Sequence, residues 1–382
     1  MFGDLEMKRN NCEICGYNKL QEIYCLKNMP VKIGVSEQNK IFDYSDMIFM
    51  QCEYCKNVQL YDLVAPEIVY SVNHNVSVVG KIWQEHNISF SQFILKQINT
   101  ECDIFEIGDP VAKIASLIIE NEKIKSWDII EPNYNEIQIE KINFIAGYFD
   151  ENFSTDKQYD FIVLSHVFEH FVNYDSIINK MSNVLKENSK IIISVPNMQK
   201  ILDSKILPLF NMHFEHTVFL NKTNIIEIMK KNNFSLEDYL EYKDHSEFYI
   251  FKKDNDLEFN FKELMKIDFV RQIKETIEPK IQKIVEFEQL VSEGNYDSFF
   301  IYGAHVQAQT FFTLGLDYKI LNGALDNDKL KIGKYLYGFN IKIFPNEILN
   351  NYKKPLVLCD MGAYTLEIKE QLHKEYPHIT II

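Results

Sequence analysis

The segment IFEIGDP, residues 104–110, predicts the fold of the centre of this chain: a short apolar strand that stops at a glycine. A helix-length segment follows at 112–122. Short apolar runs that alternate with amphipathic, helix-length segments are typical of a parallel sheet with crossover helices. We therefore predict an α/β protein with a doubly wound, Rossmann-like sheet. The predicted strands lie at 104–107, 126–130, 144–147, 161–165 and 191–195, and a further helix at 174–186.

The composition is that of a folded protein of two or three domains. Of its 382 residues 46% are hydrophobic, enough for a core in each domain, and the formal net charge is −15. Such an acidic surface repels phosphate backbones and anionic lipid, so we expect neither nucleic acid nor membrane as a partner. The charged N-terminus shows no leader peptide, and we expect a cytoplasmic protein. The composition does not predict the oligomeric state.

Two C-x-x-C pairs near the N-terminus supply four thiols, with 36 residues between the pairs. In a reducing compartment this spacing favours a structural zinc site over two disulfides, since Zn²⁺ selects soft sulfur ligands. A closed shell of four thiolates leaves no coordination position for chemistry. The predicted ligands are Cys12, Cys15, Cys52 and Cys55, while Cys25 is expected to be a free buried thiol.

Two side chains sit where predicted strands end. Gly108 closes the first strand, at the turn where doubly wound sheets bind nucleotides. Glu131 follows the second strand about 20 residues on, where an acid would hold a ribose diol. From these residues alone, an ordinary strand-to-helix turn and a solvated glutamate stay open as the alternative.

The order of the next segments widens this signature. GYFD (147–150), YDFIVLSHVFEHF (159–171) and IIISVPN (191–197) follow in turn. With the first turn, this order resembles a class I S-adenosylmethionine-dependent methyltransferase. The resemblance implies that the first turn, the acid after the second strand and the segment after the fourth strand bind the cofactor. The residues implied are Glu106, Gly108, Glu131, Phe149, Ser165 and His166.

The whole chain resembles the zinc-containing sugar methyltransferase family. The resemblance adds HFEHTVFL (213–220), YGAH (302–305), LDNDK (325–329) and GKYLYG (333–338) to the zinc pairs and the central sheet. Its best known members are C-methyltransferases acting on keto-sugars carried by a nucleoside diphosphate. It implies four parts: a zinc module at 1–75, a cofactor domain at 76–245, a helical linker at 246–290 and a C-terminal Rossmann-like substrate domain at 291–382.

The function that this resemblance implies is methyl transfer from S-adenosylmethionine to a sugar. It also implies that the acceptor sugar is nucleotide-activated. Transfer needs a positioned base, and imidazole can accept a proton at cellular pH. Whether carbon, nitrogen or oxygen is methylated stays open. The expected catalytic residues are His216, Glu215, His213 and His170. The expected substrate-binding residues are Tyr70, His74, Gly303, Ala304, His305 and Asp326.

Three other interpretations of these sequence features compete with this one. A non-catalytic nucleotide-sugar-binding protein is the main alternative, because no further glycine follows Gly108 in the first turn. A nicotinamide-dependent oxidoreductase using the turn at Gly303 is disfavoured, since G-x-G-x-x-G is absent there. The H-x-x-E-H pattern at 166–170 matches a zinc-protease motif that requires a helix, and here the pattern begins at a strand end.

Overall fold

The computed structural model describes residues 6–37, 43–70, 81–134, 138–203, 212–254, 268–362 and 365–382. The predicted residue His74 lies outside these ranges. In chain order the strands are β1 Glu6–Lys8, β2 Leu20–Pro30, β3 Val35–Ser36, β4 Tyr44–Cys52, β5 Val58–Leu60, β6 Asp62–Val64, β7 Cys102–Ile107, β8 Ile124–Ile130, β9 Ile142–Ile145, β10 Tyr159–Ser165, β11 Leu185–Pro196, β12 Phe234–Tyr242, β13 Ser246–Lys253, β14 Ser298–Tyr302, β15 Gly323–Leu325, β16 Tyr335–Leu336, β17 Ile341–Phe344, β18 Pro355–Leu358 and β19 Thr380–Ile381.

The helices alternate with these strands in the central and C-terminal parts. They are α1 Pro66–Val69, α2 Lys81–Leu95, α3 Lys113–Ile118, α4 Tyr174–Val184, α5 Met198–Asp203, α6 Lys222–Lys231, α7 Phe269–Ser292, α8 Val306–Thr313 and α9 Thr365–Glu375. Short 3-10 helices occur at Phe168–His170, Tyr318–Ile320 and Asn346–Asn351. No helix of the described ranges is both long and apolar enough to cross a bilayer.

The central sheet orders its seven described strands β12-β13-β11-β10-β7-β8-β9. Strands β11, β10, β7, β8 and β9 pair in parallel, and β13 runs antiparallel to both β11 and β12. Helices cover both faces, with α4 and α6 packed on one and α2 and α3 on the other. Because both faces are covered, the apolar residues at the centres of the parallel strands are buried on both sides of the sheet. The predicted α/β class with a doubly wound sheet is therefore confirmed for the centre of the chain.

A second sheet follows in the order β19-β18-β14-β15-β17-β16-β3. Strands β19 to β17 in this order are parallel, whereas β16 and β3 are antiparallel additions. Its last strand, Val35–Ser36, comes from the N-terminal part of the chain. The N-terminal and C-terminal parts thus share one sheet, and the four-part division of the chain stays a prediction.

Several element boundaries differ from the predictions. The helix predicted at 112–122 ends at Ile118, and the strand predicted at 144–147 is Ile142–Ile145. The strand Ser246–Lys253 belongs to the central sheet although the predicted cofactor domain stops at 245. Pairing with β11 decides this, and such pairing between distant segments leaves little local signal.

The segment predicted as a helical linker, 246–290, in which isoleucines recur at helical spacing, is partly strand. Its first residues complete β13, and α7 begins at Phe269 and contains Pro279. Ile273, Ile277 and Ile284 are buried as their spacing predicts. Ile281 and Val285, which recur at the same helical spacing, are instead exposed.

Candidate functional site

A cavity of about 1390 Å³ opens at the carboxyl ends of the central parallel strands. Three of its lining residues mark these strand ends. Gly108 directly follows β7, Glu131 directly follows β8, and Ser165 is the last residue of β10. Doubly wound sheets bind ligands at this edge, because the ends of parallel strands and the starts of helices converge there. The opposite wall comes from the second sheet, with His305 and Met361.

Gly108 is required by geometry. Its φ is +78°, and an added Cβ would lie 2.7 Å from Val167 Cγ2. The next residue, Asp109, turns its carboxylate onto the start of α3. There it accepts hydrogen bonds from the backbone N–H of Val111 at 3.0 Å and of Lys113 at 2.5 Å. The Asp109 side chain therefore caps the start of α3 in a turn that has no glycine after Gly108.

The second acid, Glu131, lines the cavity as predicted. Its Oε1 accepts the backbone N–H of Asn133 at 2.9 Å, which fixes the orientation of the carboxylate. Burial raises the pKa of this carboxyl above its ordinary value. Tyr148 and Phe149 lie on the same wall. An acid and two aromatic rings beside the glycine turn can bind a ribose and a purine.

Glu106 is placed differently from the prediction. Side chains alternate along β7, so Glu106 lies on the face covered by α2 and α3 and does not line the cavity. It is fully buried, and Glu106 Oε2 accepts the indole N–H of Trp127 at 2.8 Å. Burial, followed by the charge of Asp109, raises its pKa well above the ordinary value. Cofactor contact by Glu106 is thus corrected to a role in the core.

A hydrogen-bonded chain of side chains crosses the cavity wall. Tyr70 Oη lies 2.6 Å from His170 Nδ1, and His170 Nε2 lies 3.3 Å from His216 Nε2. The ring of His213 stacks on that of His216 with 4.4 Å between centroids. All four line the cavity, together with Glu215. The structure thus brings together the four predicted catalytic residues and one predicted substrate-binding residue.

Local backbone structure explains part of this arrangement. His213 and His216 exchange backbone hydrogen bonds of 3.3 and 2.9 Å, which makes a tight turn with Glu215 inside it. His213 Nδ1 accepts the N–H of Glu215 at 3.2 Å. His170 ends the short 3-10 helix after β10. The H-x-x-E-H pattern therefore does not lie on one α-helix, as expected from its start at a strand end.

Burial sets the protonation of this cluster. It lowers the pKa of His170 to about 4, with a further contribution from His216, and it lowers the pKa of His213 well below the ordinary range. Burial also raises the pKa of Glu169. The imidazoles of His170 and His213 are therefore neutral at cellular pH, and a neutral imidazole can accept a proton.

The turn after β14 is only partly directed at the cavity. His305 lines it, but the N–H of Ala304 donates to Asp326 Oδ2 at 2.9 Å. Lys331 Nζ lies 3.0 Å from the same oxygen. Gly303 has φ +92°, and a Cβ added there would lie 2.2 Å from Met361 Sδ. Of this predicted group only His305 lines the cavity; Gly303, Ala304 and Asp326 form the turn behind it.

The four N-terminal cysteines converge. The Sγ atoms of Cys12 and Cys55 are 3.5 Å apart and those of Cys15 and Cys52 are 3.7 Å apart, and the four lie within 4.8 Å of one another. A tetrahedral Zn²⁺ with sulfur ligands needs a separation of about 3.8 Å. None of these cysteines is in a disulfide. The donor set and its spacing fit Zn²⁺.

Residues that the sequence did not single out also meet near the cavity. His86 of α2 and His245 of the β12–β13 turn lie close to His166, and Trp83 packs against all three rings. The nearest sequence interval among the histidines is about 80 residues. No local pattern signals such a contact, because it depends on which strands become neighbours.

Comparisons with known proteins bear on the central part of the chain. Residues 89–239 match the family model described as "Methyltransferase domain". A search of curated proteins found no match. Solved structures similar to this chain include the N-methyltransferase NodS from Bradyrhizobium japonicum WM9, with 14% identity, 46% of this chain and 99% of that chain covered, and a TM-score of 0.34.

Two further solved structures are similar to this chain over nearly the same share of its residues. For the PH0226 protein from Pyrococcus horikoshii OT3 the identity is 16%, the coverage 47% of this chain and 94% of that chain, and the TM-score 0.38. For the magnesium protoporphyrin IX methyltransferase ChlM from Synechocystis PCC 6803, with bound S-adenosylhomocysteine, the values are 14%, 48%, 90% and 0.36. The matched residues include the parallel strands whose ends line the cavity, so residues 89–239 are similar to a methyltransferase domain.

Proposed function

We propose that this protein transfers a methyl group from S-adenosylmethionine to a nucleotide-activated sugar in glycan or secondary-metabolite biosynthesis. The observation that carries the proposal is the chain Tyr70–His170–His216, which opens into the same cavity as Gly108 and Glu131. The candidate base and the edge of the sheet proposed to bind the cofactor thus line the same cavity. The acceptor atom is carbon, nitrogen or oxygen.

The cavity is large enough for two ligands. Its volume of about 1390 Å³ exceeds the roughly 300–1,000 Å³ typical of a pocket for one small molecule. One end is formed by the strand ends of the methyltransferase domain. The other is formed by His305 and its neighbours after β14, in the part we propose as a Rossmann-like substrate domain. This arrangement supports a cofactor at one end and a nucleotide-sugar at the other.

The cofactor end binds and orients. S-adenosylmethionine, when bound, supplies a methyl group already activated on a sulfonium sulfur. Gly108 lets the backbone approach closely, because any side chain there would meet Val167. The Glu131 carboxylate would accept hydrogen bonds from the ribose hydroxyls of the cofactor, and Phe149 would cover its adenine. Ser165 and His166 form the wall after β10.

The acceptor end moves a proton. His216 would take the proton of the acceptor atom, which gains the methyl group as the methyl–sulfur bond breaks and S-adenosylhomocysteine is left, and the imidazolium so formed would contact His170 Nε2. Tyr70 holds His170 Nδ1 and thereby fixes the ring. Glu215 and Glu169, buried in the same cluster, stabilise the positive charge. The proton returns to solvent through the cavity.

The zinc module is structural in this proposal. Cys12, Cys15, Cys52 and Cys55 hold one Zn²⁺, and a closed shell of four thiolates gives the ion no catalytic position. Glu13, between two of these ligands, accepts the backbone N–H of Tyr174 at 2.9 Å, at the start of α4. The zinc site therefore fastens the N-terminal segment to the methyltransferase domain.

Calorimetric titration with S-adenosylmethionine and S-adenosylhomocysteine tests the cofactor end. Glu131→Ala should weaken binding about 10- to 100-fold, since hydrogen bonds to a charged group contribute about 1.5–3 kcal/mol. The exposed Glu120 provides the matched control, and Glu120→Ala should bind like the wild type. Equal affinity of the Glu131 variant would contradict the assignment.

Transfer of a labelled methyl group to a panel of nucleotide-sugars tests the acceptor end. His216→Ala should keep cofactor affinity and lose about 10²- to 10⁴-fold in turnover. Full turnover by this variant would show that another group is the base. Binding of a nucleotide-sugar without binding of either cofactor form would instead identify the non-catalytic binding protein, with the Asp109 cap as the cause.

A further inference from the structure

Three histidines form a second imidazole cluster beside the catalytic chain. His86 belongs to α2, His166 follows β10, and His245 lies in the turn between β12 and β13. One ring nitrogen from each lies within 4.8 Å of the others. The ring centroids are 5.0 Å apart for His86 and His166, 5.5 Å for His86 and His245, and 5.7 Å for His166 and His245.

These separations match a tetrahedral metal. With a metal–nitrogen distance of 2.0–2.1 Å, the ion lies about 3.2 Å from each ring centroid, so two rings on one tetrahedral ion have centroids about 5.2 Å apart. The planes of the rings are inclined by 54° to 72° to one another. Nitrogens bound to one tetrahedral ion are about 3.3 Å apart, so the three rings, whose nitrogens lie within 4.8 Å of one another, would move closer together on binding it.

Each ring also has an oxygen partner that could orient it. His86 Nδ1 lies 3.0 Å from Asn87 Oδ1, and His166 Nδ1 lies 3.4 Å from Glu169 Oε1. His245 Nδ1 lies 2.5 Å from the hydroxyl of Ser246. Metal-binding histidines commonly use one ring nitrogen for such a contact and the other for the ion. Here the other nitrogens of two rings contact hydroxyls, His86 Nε2 with Ser194 Oγ at 2.8 Å and His166 Nε2 with Ser246 Oγ at 2.9 Å, and a bound ion would displace these hydroxyls.

The surroundings favour neutral rings, as a metal ligand requires. His86 is fully buried, and the edge of Trp83 packs on all three rings at centroid distances of 4.5 to 5.4 Å. Burial lowers the pKa of each histidine, that of His86 to about 3. An anion would find no charged imidazole here, whereas a cation that displaces the hydroxyls of Ser194 and Ser246 would meet three neutral rings.

We propose that His86, His166 and His245 bind one divalent transition-metal ion of the Zn²⁺ type. Imidazole suits Zn²⁺ and its neighbours, whereas Mg²⁺ and Ca²⁺ prefer oxygen. His166 and His245 line the large cavity, so the fourth coordination position faces it. That position takes water or an oxygen atom of a bound ligand. This inference holds whatever the acceptor of the methyl group is.

Zinc counting on the full-length protein tests the site. The protein is equilibrated with buffered Zn²⁺, and a thiol-specific mercurial then releases the zinc bound by cysteine. We expect one zinc ion per chain to remain, bound by histidine. His245→Asn should weaken zinc binding at least about 100-fold, because the loss of one of four ligands removes about a quarter of the free energy of binding. His305→Asn, in the same cavity but outside the cluster, should retain it.

A second variant and a spectroscopic readout cover a failure to fold. His166 has φ +54°, which asparagine tolerates, so His166→Asn keeps the backbone while removing the ligand. In the wild type, a second equivalent of Co²⁺ should add visible ligand-field absorption without further thiolate-to-metal charge transfer. No zinc after the mercurial, equal retention by the His245 or His166 variant, or no absorption from the second equivalent would overturn the proposal.

Discussion

Gly108→Ala places one methyl group at the floor of the cavity. Gly108 has φ +78°, where an L-residue costs about 1–2 kcal/mol. The added Cβ would lie 2.7 Å from Val167 Cγ2 and 3.4 Å from Cγ1, and overpacking of this kind costs about 1–3 kcal/mol. We therefore expect a destabilisation of about 2–5 kcal/mol.

A second substitution separates the two contributions. Val167→Ala removes both Cγ atoms, so in that background Gly108→Ala should retain only the backbone cost. The coupling energy between the two sites should then be about 1–3 kcal/mol. Gly147→Ala is the control, because φ is +144° there but nothing lies within 4 Å of an added Cβ. Its effect should add to that of Val167→Ala to within about 0.5 kcal/mol.

Urea unfolding followed by tryptophan fluorescence measures these energies. The two tryptophans of the chain, Trp83 and Trp127, lie in α2 and β8 and so report on the central sheet and the helices that cover it. Additive effects of the Gly108 and Val167 substitutions would refute the steric argument. Cofactor titration of the same variants should show weaker binding for Gly108→Ala and partial recovery in the double variant.

The remaining predictions concern zinc, pH and a buried ion pair. Cys52→Ser should lower the melting temperature and reduce the zinc content by one ion per chain; an unchanged melt would exclude a structural ion at the four cysteines. Burial lowers the pKa of His170 from 6.5 to about 4, so the unfolded chain binds the extra proton between these values. Stability should fall by up to about 1.4 kcal/mol per pH unit as pH drops from 6.5 towards 4, and His170→Gln should flatten that part of the profile in urea unfolding. Lys280 is buried and lies 2.9 Å from Asp360, which Lys283 also contacts at 3.2 Å. Asp360→Ala should cost about 3–5 kcal/mol because it leaves Lys280 without its carboxylate, and Lys280→Met should cost less because Lys283 still pairs with Asp360; equal losses in thermal melts would contradict this.

Local patterns predicted the parts of the fold that local physics controls. The strand predicted at 161–165 ends at Ser165 as expected, and the helix predicted from 174 begins at Tyr174. That helix has a side-chain cap, because Asn173 accepts the N–H of Ser176. Alternating or continuous apolar runs and helix caps act within a few residues, so they can be recognised without the tertiary structure.

Where tertiary contacts decide, the predictions were less accurate. Residues 185 and 186 were expected in a helix, but Leu185 begins β11 and pairs with Tyr159. The strand Ser246–Lys253 was expected in a linker, yet it completes the central sheet. In both cases pairing with a distant segment overrides the local preference of the residues.

The sequence by itself determined which chemical groups could meet at one edge of a sheet. Gly108 and Glu131 follow strands and the four cysteines form two close pairs, so simple geometry brings each set together. Only the tertiary structure decided that Tyr70 contacts His170, that Glu106 turns into the core, and that the three histidines around Trp83 converge. Those contacts depend on strand order and on which face a side chain takes, and residues far apart in the chain carry no local record of either.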